Sequence, residues 1–136
     1  MAVIVLTNVE VTIGGVDLSD HISSVSLSTN ADAVETTAFS AAGARTRVGG
    51  LKDNSVTIEF HQDFAASEVE ATIYPLLGTS AAVTVLPVAG SASATNPEYQ
   101  FDALVSEWTP VNGAVGELAT ASVTWPVNGG ITKVTA

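Results

Sequence analysis

A mainly β fold, a β-sandwich or barrel with one short flanking α-helix, is predicted by three features of the sequence. Apolar and polar residues alternate with a period of two over several segments rich in valine, isoleucine and threonine, which is the pattern of strands with one buried face. Glycine pairs and prolines punctuate these segments at turn positions. The alternation gives way to helical spacing in a single place, residues 67–77.

The elements follow in order. Val9, Val11 and Ile13 alternate with polar partners and then meet Gly14-Gly15, a hairpin turn signal, before Val16 and Leu18. Residues 22–29 alternate through Val25 and Leu27, and residues 54–61 through Val56, Ile58 and Phe60, with Ser55, Thr57, Glu59 and His61 on the opposite face. Ser67 and Glu70 have the spacing of a capping box, in which the hydroxyl and the carboxylate each satisfy a first-turn N–H. Val69, Ile73, Leu76 and Leu77 form one apolar helical stripe behind it. Pro75 limits that helix to about two turns, and Gly78 ends it. Further strands are expected at residues 83–88, 99–108 and 118–125, bounded by Pro87, Pro110 and Pro126, with a short last one at 131–134. Residues 31–50 lack sustained alternation and are expected to form a long loop, and residues 89–96 a Ser/Ala-rich connection.

The 136 residues carry 14 Asp and Glu against 4 Lys and Arg, a formal net charge of −10, yet only 13% of the chain is charged. Soluble domains typically carry roughly 25%, so small neutral residues must build much of this surface. The length suits a single domain over residues 1–136, large enough for a real core. A hydrophobic content of 46% excludes an intrinsically disordered chain. Cysteine is absent, which removes disulfides, thiolate nucleophiles and Cys-ligated zinc. The opening MAVIVLTNVE has no cation before its short apolar stretch, so no secretory signal is expected. No apolar run approaches the roughly 20 residues of a spanning helix, and an acidic chain has no electrostatic footprint for gripping DNA, RNA or an anionic membrane.

Few residues suggest chemistry. Asp17, Asp20 and His21 are oxygen and imidazole donors, but their spacing matches no defined metal loop, and a turn with solvated carboxylates is the simpler reading. His61 and Asp63 lack the G-x-S-x-G elbow or oxyanion loop of a hydrolytic triad, so His61 reads as a strand-end residue on a polar face. The glycine pairs match no phosphate-binding motif. Trp108 and Trp125 could stack on a sugar or base if exposed, but both precede prolines at strand ends and are expected to pack in the core. No catalytic residue, metal or cofactor is expected.

Arg45, Arg47 and Lys52 are three of the four cations, and they fall within eight residues. Concentrating positive charge on one Gly/Ala-rich tip of an acidic protein makes a dipolar surface that complements itself head to tail. Contacts between unlike patches of identical subunits generate rings or open stacks.

The succession VDLSDHISSVSL, ETTAF, GARTRVGGLKDNSVTIEFHQDF, IYPLLGT, ATNPEYQF and ASVTWPVNGG resembles the major tail proteins of long-tailed bacteriophages, particularly those infecting actinobacteria, over residues 11–130. The resemblance implies a β-sandwich tail-tube fold and a structural virion protein of the phage tail, assembled in the host cytoplasm. It also implies hexameric rings that stack into a tube for genome delivery. Residues 31–50 would join neighbouring subunits, and the partners would be other copies of the chain and the tail terminator, tape measure and distal tail proteins. Double-stranded DNA would be passing cargo rather than a ligand. An acidic wall suits that role, because only cations displace phosphate counterions and hold the duplex. Glu10, Glu59, Asp102 and Glu107 alternate with apolar positions and are the candidates to face the bore. Two other readings share this composition: a capsid decoration protein, which binds a shell rather than itself, and a carbohydrate-binding module, which needs exposed tryptophans.

Overall fold

A computed structural model describes residues 3–39 and 42–135. Two antiparallel sheets face each other across an apolar core, as the alternation requires. The first contains β1 (Glu10–Ile13), β2 (Val16–Asp17), β5 (Ser80–Leu86), β6 (Glu98–Leu104) and β8 (Thr132–Val134), in the order β2-β1-β5-β6-β8. The second contains β3 (Ile22–Glu35), β4 (Arg47–His61) and β7 (Thr120–Pro126), in the order β3-β4-β7. Register places each alternating apolar set inward: Ile58 opposes Val25 and Val123, and Val83 opposes Ile13 and Phe101. Gly14 and Gly15 both take positive φ, +59° and +85°, which the two-residue turn between β1 and β2 demands and which a side chain would resist.

Trp125 and Phe60 are fully buried, and Trp108 meets the Phe60 ring edge-on at a centroid distance of 5.4 Å. The Trp125 indole N–H donates to the Glu107 carbonyl at 2.9 Å. Residues 105–119 are irregular, so the strand expected over 99–108 ends at Leu104. They run along β7, where the Asn112 carbonyl and the Glu107 carboxylate accept from the backbone N–H groups of Thr120 and Thr124 at 3.2 and 2.8 Å. That cover shields a sheet edge which would otherwise pair with another chain.

The helix lies where helical spacing begins but is shorter than expected. α1 is Val69–Ile73, and a single 3-10 turn, Tyr74–Leu76, continues it past Pro75. Val69 and Ile73 are completely buried in the core. The capping box does not form: Glu68 holds the cap position, Ser67 has a φ of +64°, and no side chain caps the helix. The Glu70 carboxylate instead accepts from the Trp108 indole N–H at 2.7 Å and the Gln62 amide at 3.0 Å. Those donors are part-buried and costly to leave unpaired, whereas water can satisfy an exposed first-turn N–H.

The connection between β3 and β4 is also not the loop expected over residues 31–50. The ladder continues to Glu35 opposite Arg47, leaving 36–46 as the connection. Every described residue of 28–53 is exposed, so this two-stranded arm buries neither face and shows no alternation. A bulge in β4 between Gly49 and Lys52 sets its register, and a Cβ on Gly50 would stand 2.8 Å from the Val34 side chain.

Candidate assembly surface

Past the core the arm extends by about six residue pairs, roughly 20 Å at 3.4 Å per residue. Cross-strand partners share a face, so Ala31, Ala33 and Glu35 lie with Lys52, Gly49 and Arg47, while Val34 and Val48 face the other way. The bulge therefore brings Arg47 and Lys52 onto one face although five positions separate them. Arg45 bonds the Glu35 carboxylate of its own arm at 3.2 Å. Val34, Val48 and Leu51 are exposed at 48%, 55% and 81%, and Phe39 is fully exposed near the tip. At the root of the arm a groove of about 760 Å³ opens between the sheets, lined by Val25, Leu27, Val85, Tyr99 and Ile131 together with Lys52 and Lys133. All four cations of the chain thus occupy the arm or the groove at its root.

The outer faces of both sheets carry no Lys or Arg. On the three-stranded sheet Ser24, Ser26 and Ser28 stand beside Ser55, Thr57 and Glu59, and these beside Ser122 and Thr124. The Thr57 and Thr124 hydroxyls bond at 3.1 Å. Of the four candidate bore carboxylates, only Glu59 is on this face; Glu10 and Asp102 belong to the five-stranded sheet. Glu107 lies on neither sheet and is bound to the β7 edge.

The structure has the fold of components of a phage-like particle. One is in the virion of a native gene transfer agent particle, with a TM-score of 0.68 and 16% identity over 85% of both chains. Another is in the tail of an empty gene transfer agent particle with C6 symmetry, with a TM-score of 0.61 and 19% identity over 85% of this chain and 83% of that one. The tail-tube-like β fold is established. No protein-family model matches the sequence, and no curated protein matches it.

Outside the arm, the structure assembles a cluster that sequence spacing concealed. His21, in the 3-10 turn Ser19–His21 before β3, bonds Asp20 through Nδ1 at 2.9 Å and Asp63 through Nε2 at 2.8 Å. A Glu68 carboxylate oxygen lies 3.6 Å from Nδ1. The Asp20–His21 turn is thus not simply solvated, and Asp63 partners His21 rather than His61, whose Nδ1 is buried without a partner. Asp63 is 42 residues from His21 in sequence, and no spacing motif links them.

Burial pulls the His21 pKa down, but the hydrogen bonds to Asp20 and Asp63 and the charges of Asp20 and Glu68 outweigh it, so the pKa is raised above 6.5. An N–H donated by Ala65, with the His21 contact, holds the Asp63 pKa below 3.8. A raised histidine pKa contributes stability that is complete below about 6.5, the unfolded value, and is lost as pH rises through the folded value. The Asp63 contribution is lost at the acid end, as pH falls through its lowered pKa. In EDTA, the melting temperature of wild type is therefore expected to exceed that of His21→Asn most near pH 5.5, and the gap to narrow as pH rises above about 6.5. Thermal melts of both proteins from pH 5 to 8.5 check this; a gap that widens on raising pH contradicts it.

Trp125 is fully buried, and Trp108 is half-buried with its indole N–H on Glu70. Neither offers the exposed ring that a sugar-binding platform requires. Among the described residues, no helix is long and apolar enough to cross a membrane.

Proposed function

We propose that this chain is a structural virion protein whose copies form rings, hexameric by the resemblance, and that the rings stack into a tail tube through which double-stranded DNA passes. The arm is the observation that carries this reading. A two-stranded ribbon exposed on both faces is marginally stable in water by itself, so its exposed valines, leucine and phenylalanine call for a neighbouring subunit to cover them. Arg47 and Lys52 are the polar half of that contact, directed at carboxylates of the next copy, while Arg45, expected to join them, is held by Glu35 of its own arm. The shared fold with gene transfer agent virion and tail components supports the same reading.

The bore is lined by a sheet face without cations. A wall of hydroxyls with Glu59, or of Glu10 and Asp102 on the other sheet, displaces no phosphate counterions and lets the duplex slide. Glu107, bound at the β7 edge, contributes least to it. The chain acts without enzymatic activity or cofactor, resides in the virion after assembly in the host cytoplasm, and meets the tail terminator, tape measure and distal tail proteins at the tube ends.

Negative-stain microscopy of the purified chain tests the proposal. Rings or stacked tubes formed by the protein alone are the expected result. A chain that stays monomeric at high concentration yet decorates capsids is instead a shell protein.

A further inference from the structure

We propose that His21, Asp63 and Glu68 bind one divalent transition-metal ion of the zinc class. These side chains come from two segments: His21 from the turn before β3, and Asp63 and Glu68 from the connection between β4 and α1, of which Glu68 is the helix cap. One ring nitrogen and one oxygen from each carboxylate lie within 4.8 Å of one another. Two donors on a single ion at about 2.1 Å stand roughly 3.0–3.4 Å apart, so Nε2 and Asp63 Oδ2, at 2.8 Å, need only a small outward movement to share one. Glu68 is partly exposed and free to close the third position by side-chain rotation.

The surroundings are organised for this. Asp63 Oδ1 accepts from the Ala65 N–H at 2.9 Å, which fixes the carboxylate and leaves Oδ2 directed at the ring. Asp20 Oδ1 sits 2.9 Å from Nδ1, where it accepts that N–H and orients the ring, so that an ion binding at Nε2 takes the place of the proton Nε2 otherwise shares with Asp63. Charge points the same way. Three carboxylates converge on one imidazole, and among the described residues no Lys or Arg forms an ion pair with any of them. Even a protonated ring leaves the cluster negative, and a dication offsets that excess. One nitrogen with two oxygens suits zinc, cobalt or manganese better than calcium, which takes six to eight oxygens. Three protein donors leave positions for water on the solvent side.

The experiment uses the intact chain, stripped with EDTA, dialysed into metal-free buffer at pH 7.5 and titrated with Zn²⁺ by calorimetry and with Co²⁺ by visible absorption. Saturation at one ion per chain, a cobalt d–d band and a rise in melting temperature are expected. Glu68→Gln and His21→Asn are expected to weaken binding by at least about 100-fold, and Asp20→Asn, which loosens only the ring, by about 10–100-fold. Asp17→Asn is the control with unchanged affinity. Glu68 is partly exposed, so its variant keeps the fold, as circular dichroism would verify, and separates loss of a ligand from loss of structure. If an imidazolium alone holds the carboxylates, neither ion binds saturably at 1:1 and the melting temperature does not move. That result, or equal affinity in wild type and Glu68→Gln, overturns the proposal, and neither bears on tube assembly.

Discussion

Aspartate at both Val34 and Val48 is expected to leave the monomer folded and to stop tube growth. The two valines oppose each other on one face of the arm and are about half exposed, so in the monomer their replacement removes little buried surface. Fully burying a valine contributes at least about 1.5 kcal/mol, so covering the exposed half of each in an assembly adds on the order of 1 kcal/mol. Losing both weakens each arm contact by about 2 kcal/mol, or roughly 30-fold, before the cost of desolvating two carboxylates. Reversing Arg45 and Arg47 to glutamate should do less, because exposed ion pairs contribute only about 0–1 kcal/mol each, and that loss should shrink with added salt. Sedimentation and negative-stain microscopy at matched concentration, with circular dichroism as the folding control, measure both effects. Tubes at wild-type yield from the double aspartate variant would show that the arm is not the assembly contact.

Trp125→Ala should produce the largest loss of stability in the chain. The ring is fully buried between the sheets against Phe60, with centroids 6.3 Å apart, and its N–H donates to the Glu107 carbonyl. Truncating a buried tryptophan costs about 3–5 kcal/mol through lost transfer and the cavity left behind. Domains have about 5–15 kcal/mol in total, so a large part of the margin disappears. Trp108→Phe keeps most of the packing on Phe60 but strips the donor from Glu70, and should cost less, about 1–3 kcal/mol. Urea midpoints at constant slope rank the two, and a Trp125→Ala midpoint within error of wild type would refute the core placement.

Legibility in the sequence followed burial. Where one face of a strand meets the core, alternation declares it: Val56, Ile58 and Phe60 in β4, or Ala121, Val123 and Trp125 in β7, are fixed inward by the same period of two that predicted them. The Gly14-Gly15 turn and the helical spacing from Val69 are equally plain, because a positive φ or a buried stripe restricts residue choice locally, whereas the helix itself stops at Ile73, before the Gly78 expected to end it. The acidity and the crowding of cations near residue 47 needed no structure at all.

Only the tertiary structure decided the rest. The arm has no buried face, so its ladder leaves no periodic trace, and a register set by Gly50 against Val34 is invisible until the strands are paired. Glu70 carries a correct capping signature, yet it turns to Trp108 and Gln62, donors brought to it by the fold from 38 and 8 residues away. His21 and Asp63 meet across 42 residues for the same reason. Local chemistry can be read from neighbours in sequence, but the choice among competing hydrogen-bond partners goes to whichever group the packing of distant segments would otherwise leave unsatisfied.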